Sequence, residues 1–324
     1  MTKENHNSKS MFHGFWALTN RDLKKWYKEP ILLFMSIIQP VLWMGLLGKA
    51  MNIGGILTGN SVSLSGIEGN LNLSPSILQA AAKDQTLQAV MSALQNYFSS
   101  PQFSTQIMKQ TFGVSNYFSF MAIGMLSFVV VFTAMFSGMS IVWDRRLGFL
   151  NKALSTPVPR GAIIMAKVLN SVIRSLIQAA IVIVIAWLLG IQFGATFSVL
   201  SLLVAFAGLF LMCLGLSSLF LAIAIRSTKW ETQMAVVNLL NLPLLFTSNA
   251  LFPTNFMPSW LKTVSKFNPI TYGTDVARQM IINSSVSLWG IGPGHLLFDF
   301  LFLGCFALVF AGVGIFLSVR YLSR

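Results

Sequence analysis

Six apolar stretches divide this chain, and polar segments join them. The stretches cover residues 31–51, 117–142, 168–189, 197–225, 234–252 and 299–319. A membrane-spanning helix needs about 20 apolar residues, so each stretch is long enough to cross a bilayer. The pattern therefore predicts an all-α integral membrane protein with six transmembrane helices.

Lysine and arginine are distributed unevenly among the joining segments. If both termini are cytoplasmic, the inner segments carry fifteen of these residues and the longer outer segments carry five. Basic residues are retained on the cytoplasmic side of membranes. The distribution predicts a multi-pass protein of the plasma (cell) membrane whose N and C termini are cytoplasmic.

Composition agrees with a membrane protein and narrows the possible partners. The chain is 55% hydrophobic and 10% charged, whereas a soluble domain carries about 25% charged residues. A net charge of +13 would suggest nucleic acid in a soluble protein. Here the bias of basic residues toward the cytoplasm explains the charge, so we expect no nucleic-acid partner. The two cysteines lie in separate apolar stretches, and their spacing predicts no metal site.

The segments around the first span predict two smaller units. Residues 1–10 are polar and predict disorder. Residues 11–28 place aromatic side chains on one helix face and basic ones on the other, which is typical of a helix lying in the membrane interface. The expected division is a cytoplasmic N terminus at 1–30, a first span at 31–51, an external and mostly helical insertion at 52–115, and the remaining spans at 116–324.

The basic loop after the second span predicts a short helix at about residues 145–154. Leu147, Leu150 and Leu154 follow helical spacing, and Thr156-Pro157 would end the helix. Two interpretations fit this pattern. The helix docks a soluble motor subunit, or it is an interfacial helix that only satisfies the charge bias.

The segment at 253–298 contains two apolar stretches that are too short to span, each bounded by proline. Trp260 and Tyr272 suit the aromatic belt at a membrane surface. We expect a pair of re-entrant helices that dip into the outer leaflet and are covered by protein. The alternative is a surface loop with one amphipathic helix.

One charged residue, Arg174, lies inside the third apolar stretch, about two turns past Lys167. A charge at mid-membrane is costly. We expect the Arg174 side chain to extend to the cytoplasmic interface, and a role in a transport pathway is the alternative.

The sequence lacks the common catalytic signatures. The P-loop pattern G-x-x-x-x-G-K-[ST] does not occur, so we expect no ATPase motif and no catalytic residue in this chain. Two other hypotheses stay open: an intramembrane enzyme using Asp275, His295 or Asp299, and an ATP-independent channel or passive scaffold.

Taken in order, these features resemble the permease subunit of type-2 ABC exporters. The resemblance rests on Arg21-Asp22 and Pro30, on Gln39-Pro40 in the first span, on the loop at 144–157 and on the segment at 250–278. Two features depart from the family pattern. The outer loop after the first span is about 64 residues long, where the family usually has a short one. Leu147 stands where the family usually has Glu.

The resemblance implies roles for four groups of residues. The connecting helix would include Arg21, Asp22 and Trp26. Coupling to the ATPase would use Asp144, Arg145, Arg146, Gly148, Leu150, Leu154, Thr156 and Pro157. Candidate residues of the translocation pathway, from the second and fifth spans, are Phe128, Phe132, Met135, Asn238, Asn241 and Leu245. The re-entrant segment would include Pro253, Trp260, Asn268, Pro269 and Tyr272.

The resemblance also implies a function and partners. The chain would export a hydrophobic or amphipathic, drug-like or lipid-like substrate, with ATP and Mg bound by a separate ABC ATPase subunit and no cofactor on this chain. The alternative with the same architecture is export of a polysaccharide or a lipid-linked glycan. The implied partners are the ATPase subunit, a second copy or related permease chain, and membrane lipid.

Overall fold

The structure, a computed structural model, describes residues 3–50, 89–90, 92–93, 96–97, 100–156, 158–227, 229–283, 286–287, 290–291 and 295–321. These residues are nearly all helical. The first helices are α1 (Lys3–Tyr27), α2 (Pro30–Trp43) with a π-helix (Met44–Ala50), α3 (Pro101–Phe112), α4 (Tyr117–Arg146) and α5 (Phe149–Leu154). The later helices are α6 (Arg160–Leu188), α7 (Val199–Arg226), α8 (Trp230–Phe246), a 3₁₀ turn (Thr254–Phe256), α9 (Ser259–Ser265), α10 (Pro269–Ile282) and α11 (Leu296–Tyr321).

Four of these helices are long and apolar enough to cross a membrane, judged by length and composition. They are α4, α6, α7 and α11, with 26 to 30 residues each and mean hydropathy between 2.1 and 2.6. The two other predicted spans are shorter: the apolar helix of the first is 17 residues at Leu33–Lys49, and α8 also has 17. The described helices therefore indicate a multi-pass membrane protein, and the count of six spans stays a prediction.

Helix α4 is the centre of the bundle, and α11 lies at its edge. Of the most apolar window, 94% is buried inside the chain in α4 but only 17% in α11. Helix α4 packs against α2, α6, α7, α8 and α10. A helix that is apolar on every side is stable when other helices surround it, so the sequence of α4 suits this central position.

Close packing around α4 depends on a small residue. A Cβ atom on Gly124 would lie 2.0 Å from the carbonyl oxygen of Ala250. In lipid the hydrophobic effect does not drive helices to associate, so they associate by close packing. Small residues let helix backbones approach closely enough for that packing. Gly124 therefore brings the chain after α8 directly against α4.

Proline shapes the first apolar helix. Pro40 lies inside α2, and the helix continues as a π-helix from Met44. Proline has no N–H to complete the helical ladder, and π-helical turns accommodate such irregular bonding within a continuous helix. The helical stretch from Pro30 to Ala50 agrees closely with the predicted first span at 31–51.

Three sequence predictions about helix bounds were wrong. Helix α1 begins at Lys3, so residues 3–10 are helical, within the range 1–10 where the sequence predicted disorder. A helix anchored by its packed part extends at little further cost. The short basic-loop helix is α5, which begins only at Phe149. Helix α8 ends at Phe246 rather than at 252, because the Arg278 side chain binds the carbonyl groups of Asn249 and Ala250 that follow.

The segment at 253–298 forms helices at the positions expected. Helices α9 and α10 meet at Asn268, and all but one of the 14 residues of α10 are buried. Its neighbours are α4, α7 and α11, so α10 is packed within the bundle, and the re-entrant pair stays a prediction. Strands Val286–Ser287 and Gly290–Ile291 form a minimal antiparallel hairpin, with Val286 opposite Ile291, which the all-α prediction lacked.

The predicted insertion at 52–115 is only partly covered. Residues 51–88 lie outside the described residues, as does Pro157. Residues 89–90, 92–93 and 96–97 are helical, and α3 follows. Helix α3 begins at Ser100, whose hydroxyl accepts a hydrogen bond from the Phe103 N–H, and packs Phe112 edge-on against Tyr117.

Candidate functional site

Four charged side chains form a cluster where α1, α4 and α6 meet, which we call the ion cluster. The Lys167 Nζ lies 2.5 Å from an Asp144 carboxylate oxygen and 3.4 Å from one of Asp22. Arg21 lies 2.9 Å from the other Asp22 oxygen and 3.5 Å from the other Asp144 oxygen. Two cations and two carboxylates therefore alternate, and their charges cancel.

The ion cluster is protected from water most strongly at its centre. The side chains of Lys167 and Asp144 are 5% and 7% exposed, whereas that of Arg21 is 36% exposed. Removing one member of a buried pair is costly because the other charge stays buried without compensation. The ion cluster therefore holds three helices together at this end of the bundle.

The short helix α5 is attached to the same cluster. The Arg21 guanidinium carbon lies 3.3 Å from the centre of the Phe149 ring, a cation–π contact. Leu150 and Ala153 are buried beneath α5, and together with the ion cluster they line a small cavity. Helix α5 is therefore packed against α1 and α4.

A glycine separates α4 from α5. Gly148 has φ +72°, a left-handed conformation that glycine adopts without steric cost. Leu147 lies before this turn and is 67% exposed, whereas Leu150 is 2% exposed. The predicted common face of Leu147, Leu150 and Leu154 was therefore wrong, because the turn breaks the helical spacing.

The Arg145 side chain forms hydrogen bonds with backbone groups of this chain. Its guanidinium donates hydrogen bonds to the carbonyl oxygens of Ser227, at 2.8 Å, and Ile225, at 2.9 Å. These carbonyls end α7, where no helical partner is available. Arg145 therefore connects α4 to the end of α7.

The residues predicted to couple to an ATPase separate into two groups. Asp144 and Leu150 are buried, and Arg145 and Leu154 are partly buried. The exposed face of the loop is a continuous polar and basic surface with one leucine, which we call the α5 surface. It consists of Arg146, Leu147, Gly148, Asn151, Lys152, Ser155 and Thr156.

The residues predicted for a pathway are not brought together on one exposed face. Phe128, Met135 and Leu245 are buried in the bundle. Phe132 and Asn241 are partly buried, and only Asn238 is exposed. Along α8 the exposed face also carries three large apolar side chains, Leu239, Leu242 and Phe246.

An arginine organises the opposite end of the bundle. Arg278, 1% exposed, donates hydrogen bonds to the carbonyl oxygens of Asn249 at 2.6 Å and Ala250 at 2.8 Å. Its guanidinium carbon lies 3.6 Å from the centre of the Phe120 ring. We call this arrangement the arginine clamp. It joins α10 to α4 and to the chain that follows α8.

The predicted re-entrant residues differ in their surroundings. Asn268 accepts a hydrogen bond from the Ile270 N–H and donates to the Leu244 carbonyl at 2.6 Å, so it caps α10 and binds the end of α8. Tyr272 is buried and stacks on Phe302. Pro253 and Pro269 are also buried, whereas Trp260 is 66% exposed.

The side chains named for an intramembrane enzyme do not form a catalytic set in the part of the chain described. Asp299 accepts a hydrogen bond from Gln279 Nε2 at 3.1 Å. His295, one turn earlier, makes no recorded contact with Asp299, and no group of three His, Cys, Asp or Glu there could hold a metal ion.

Sequence reasoning missed Lys167, Phe149 and the two-carbonyl role of Arg278. In the sequence, Lys167 belonged to a predicted basic loop, and Phe149 was an apolar residue of that loop with no predicted role. Their partners Asp22 and Arg21 lie more than 120 residues away in the chain, and no local pattern indicates such a pairing.

Comparison with known families decides the class of the chain. The profile described as ABC-2 type transporter matches residues 13–282. The chain belongs to this family. The match includes α1 from residue 13 onward, the ion cluster, α5 and the arginine clamp.

Several relatives are transport permeases by name. The chain is 34% identical over 188 residues to a transport permease named ycf38 of Cyanophora paradoxa, covering 56% of this chain and 64% of that protein. It is 23% identical over 176 residues to the daunorubicin resistance ABC transporter permease protein DrrB1 of Streptomyces coeruleorubidus, covering 54% and 61%. It is 26% identical over 150 residues to YbhR of Escherichia coli K12, named as a multidrug ABC transporter permease, covering 46% and 39%. The matches thus span less than two thirds of each of these relatives.

Proposed function

We propose that this chain is the membrane-spanning subunit of an ABC exporter in the plasma membrane, with six spans and both termini cytoplasmic. ATP and Mg would be bound by a separate ABC ATPase subunit. The observation that carries the proposal is the attachment of α5 to the ion cluster within a chain of the ABC-2 type transporter family.

The α5 surface is the proposed docking site for the ATPase. Leu147 is an exposed apolar side chain beside Arg146, Asn151 and Lys152. Apolar and arginine side chains surrounded by polar ones are typical of protein interfaces. Asp144 and Arg145, which the resemblance implied as contacts, would act by holding this surface in place.

Motion of the ATPase would reach the bundle through α5. The ion cluster joins α5 to α1, α4 and α6, and α4 is surrounded by the other helices. A displacement of α5 would therefore move the inner end of α4 together with α1. Cargo that prefers one of the two resulting states would in turn change nucleotide affinity, since coupling between sites is reciprocal.

We propose a hydrophobic or amphipathic cargo and assembly with a second copy or a related permease chain. Two relatives are named for daunorubicin resistance and multidrug transport. The exposed face of α8, with Asn238 among Leu239, Leu242 and Phe246, is the surface that a second chain and the cargo would share.

The test is copurification of the full chain from its native membrane in mild detergent. We expect the wild type to bring down a subunit with a P-loop and nucleotide-dependent ATPase activity. Leu147→Asp should abolish this association, whereas the matched control Leu147→Met should keep it. Recovery of the chain alone, even after cross-linking, would contradict the proposal.

A further inference from the structure

The elbow between α1 and α2 lies beside the inner part of α6. Helices α1 and α6 run side by side in the same direction: Asp22 is 3.4 Å from Lys167, and the Arg174 guanidinium is 5.4 Å from the Trp26 ring. Seven residues of helix separate Lys167 from Arg174, a rise of about 10 Å. The elbow therefore lies on the bilayer side of the ion cluster.

Two buried hydrogen-bond donors meet at this elbow without a partner among the described residues. They are the indole Nε1 of Trp26, a residue 6% exposed, and the Nε of Arg174. Both groups can only donate. Buried donors are nearly always paired in folded proteins, so this pair indicates an acceptor that belongs to another molecule.

The charges around the elbow favour an anionic acceptor. Within the described part of the chain, no carboxylate lies at ion-pair distance from Arg174; Asp22 and Glu29 act on it only from farther away. Asp22 is already shared by Arg21 and Lys167.

The start of α2 adds further donors. Glu29 is the N-cap residue but makes no capping hydrogen bond, and Pro30 is the first residue of the helix. The first N–H groups of a helix have no partner inside it, and they carry the positive end of the helix dipole.

We propose that the elbow between α1 and α2 binds a phosphate group. Its oxygens accept from Trp26 Nε1 and Arg174 Nε, and the Arg174 guanidinium and the positive end of the α2 dipole balance its charge. Two sources have this chemistry: the headgroup of an anionic phospholipid in the inner leaflet, and a soluble phosphate. This inference goes beyond the proposed transport function and does not rest on it.

Native mass spectrometry of the full chain in mild detergent tests the proposal, with phosphatidylglycerol, phosphatidylcholine or inorganic phosphate added in separate titrations. Phosphatidylcholine carries a phosphate but also a cation that the Arg174 guanidinium repels. If the source is lipid, we expect phosphatidylglycerol to bind at least about tenfold more tightly than phosphatidylcholine. If it is soluble, inorganic phosphate binds and the two lipids do not differ.

Two variants remove the donors separately. Trp26→Phe keeps an aromatic ring and loses the N–H, and Arg174→Gln removes the guanidinium. Each should weaken binding of the preferred phosphate compound by about tenfold. The matched control is Trp16→Phe, since Trp16 is on the same helix but 51% exposed, and it should bind as the wild type does.

If Trp26→Phe binds the preferred phosphate compound with the same affinity as the wild type, the proposal is overturned. It is also overturned if the wild type binds all three compounds equally weakly. If Arg174→Gln does not fold, Trp26→Phe still decides the question. Weaker binding in Trp26→Phe but not in Trp16→Phe supports the site, and the titration that shows it identifies the source.

Discussion

The ion cluster and the arginine clamp connect the two ends of the same helix by different means. At the end of α4 that we propose to be the inner one, four side chains of alternating charge join α1, α4 and α6, and one of them is 36% exposed. At the outer end, one fully buried guanidinium binds backbone carbonyls of the chain after α8. The inner contact joins side chains that can exchange partners, whereas the outer contact holds the backbone itself.

This difference suits a helix that is moved from one end. Side-chain ion pairs tolerate small displacements, because a long lysine or arginine can follow its partner. Hydrogen bonds to carbonyls that have no other donor are lost when the backbone shifts. We therefore expect the outer end to be the fixed end of the bundle and the inner end to be the mobile one.

The largest expected effect is at the arginine clamp. Arg278→Met leaves the carbonyls of Asn249 and Ala250 buried without donors, which should lower the free energy of unfolding by about 4 kcal/mol. Thermal unfolding of the detergent-solubilised chain measures this. The control is Lys262→Met, at a lysine of the partly exposed helix α9, which should unfold like the wild type. A Tm for Arg278→Met equal to that of the wild type would show that the clamp is not the fixed end.

The next effect is at the centre of the ion cluster. Lys167→Met leaves Asp144 and Asp22 facing each other with only Arg21 between them, at a cost of about 3 kcal/mol. Adding Asp144→Asn should recover part of that loss, with a coupling energy of about 1–3 kcal/mol. A double variant in which the two losses simply add would mean that these side chains do not act as one cluster.

A smaller effect is expected at the turn before α5. Gly148→Ala places a Cβ in the left-handed region, which costs roughly 1–2 kcal/mol. Helix α5 should then change its orientation, so ATPase copurification should fall more than the Tm does. The matched control is Gly190→Ala, at another left-handed glycine (φ +93°) that lies after α6 and outside the α5 surface. If both variants retain the ATPase equally, α5 does not depend on this turn.

The smallest effect is at the exposed edge of the ion cluster. Arg21→Gln removes a partly exposed cation and should cost below about 1 kcal/mol. The loss should shrink further at high salt, since screening weakens exposed pairs. The same salt series on Arg278→Met should give a constant difference, because that site is buried. Equal salt dependence at both sites would remove the distinction between the two ends.

Much of the fold follows from local sequence patterns. Continuous apolar runs predicted α4, α6, α7 and α11 to within a few residues at most ends. Trp143–Lys167 read as a loop, yet α6 begins at Arg160, because charged residues at the inner end of a spanning helix look the same as a basic loop. Asn268-Pro269 lies at the boundary between two short helices, since asparagine caps and proline begins helices.

The site could be predicted only in part. Arg21, Asp22 and Asp144 were named as functional, but a pairing with Lys167 requires the fold to bring distant segments together. The sequence indicated Gly148 as a candidate residue but not its left-handed conformation. Because of that conformation, Leu147 and Leu150 do not share a helix face. Burial of the candidate pathway residues could not be predicted. Met135 and Leu245 face the core, and in a helix that is apolar on every side helical spacing does not distinguish a core face from a pathway face.

The most direct test of the account is photo-cross-linking from the α5 surface in intact membranes. A photoreactive phenylalanine analogue would replace Leu147 in one sample and Trp260, exposed at the opposite end of the bundle, in another. We expect the Leu147 position to cross-link to a subunit bearing a P-loop and the Trp260 position not to do so. Cross-linking from Trp260 alone, or from neither position, would contradict it.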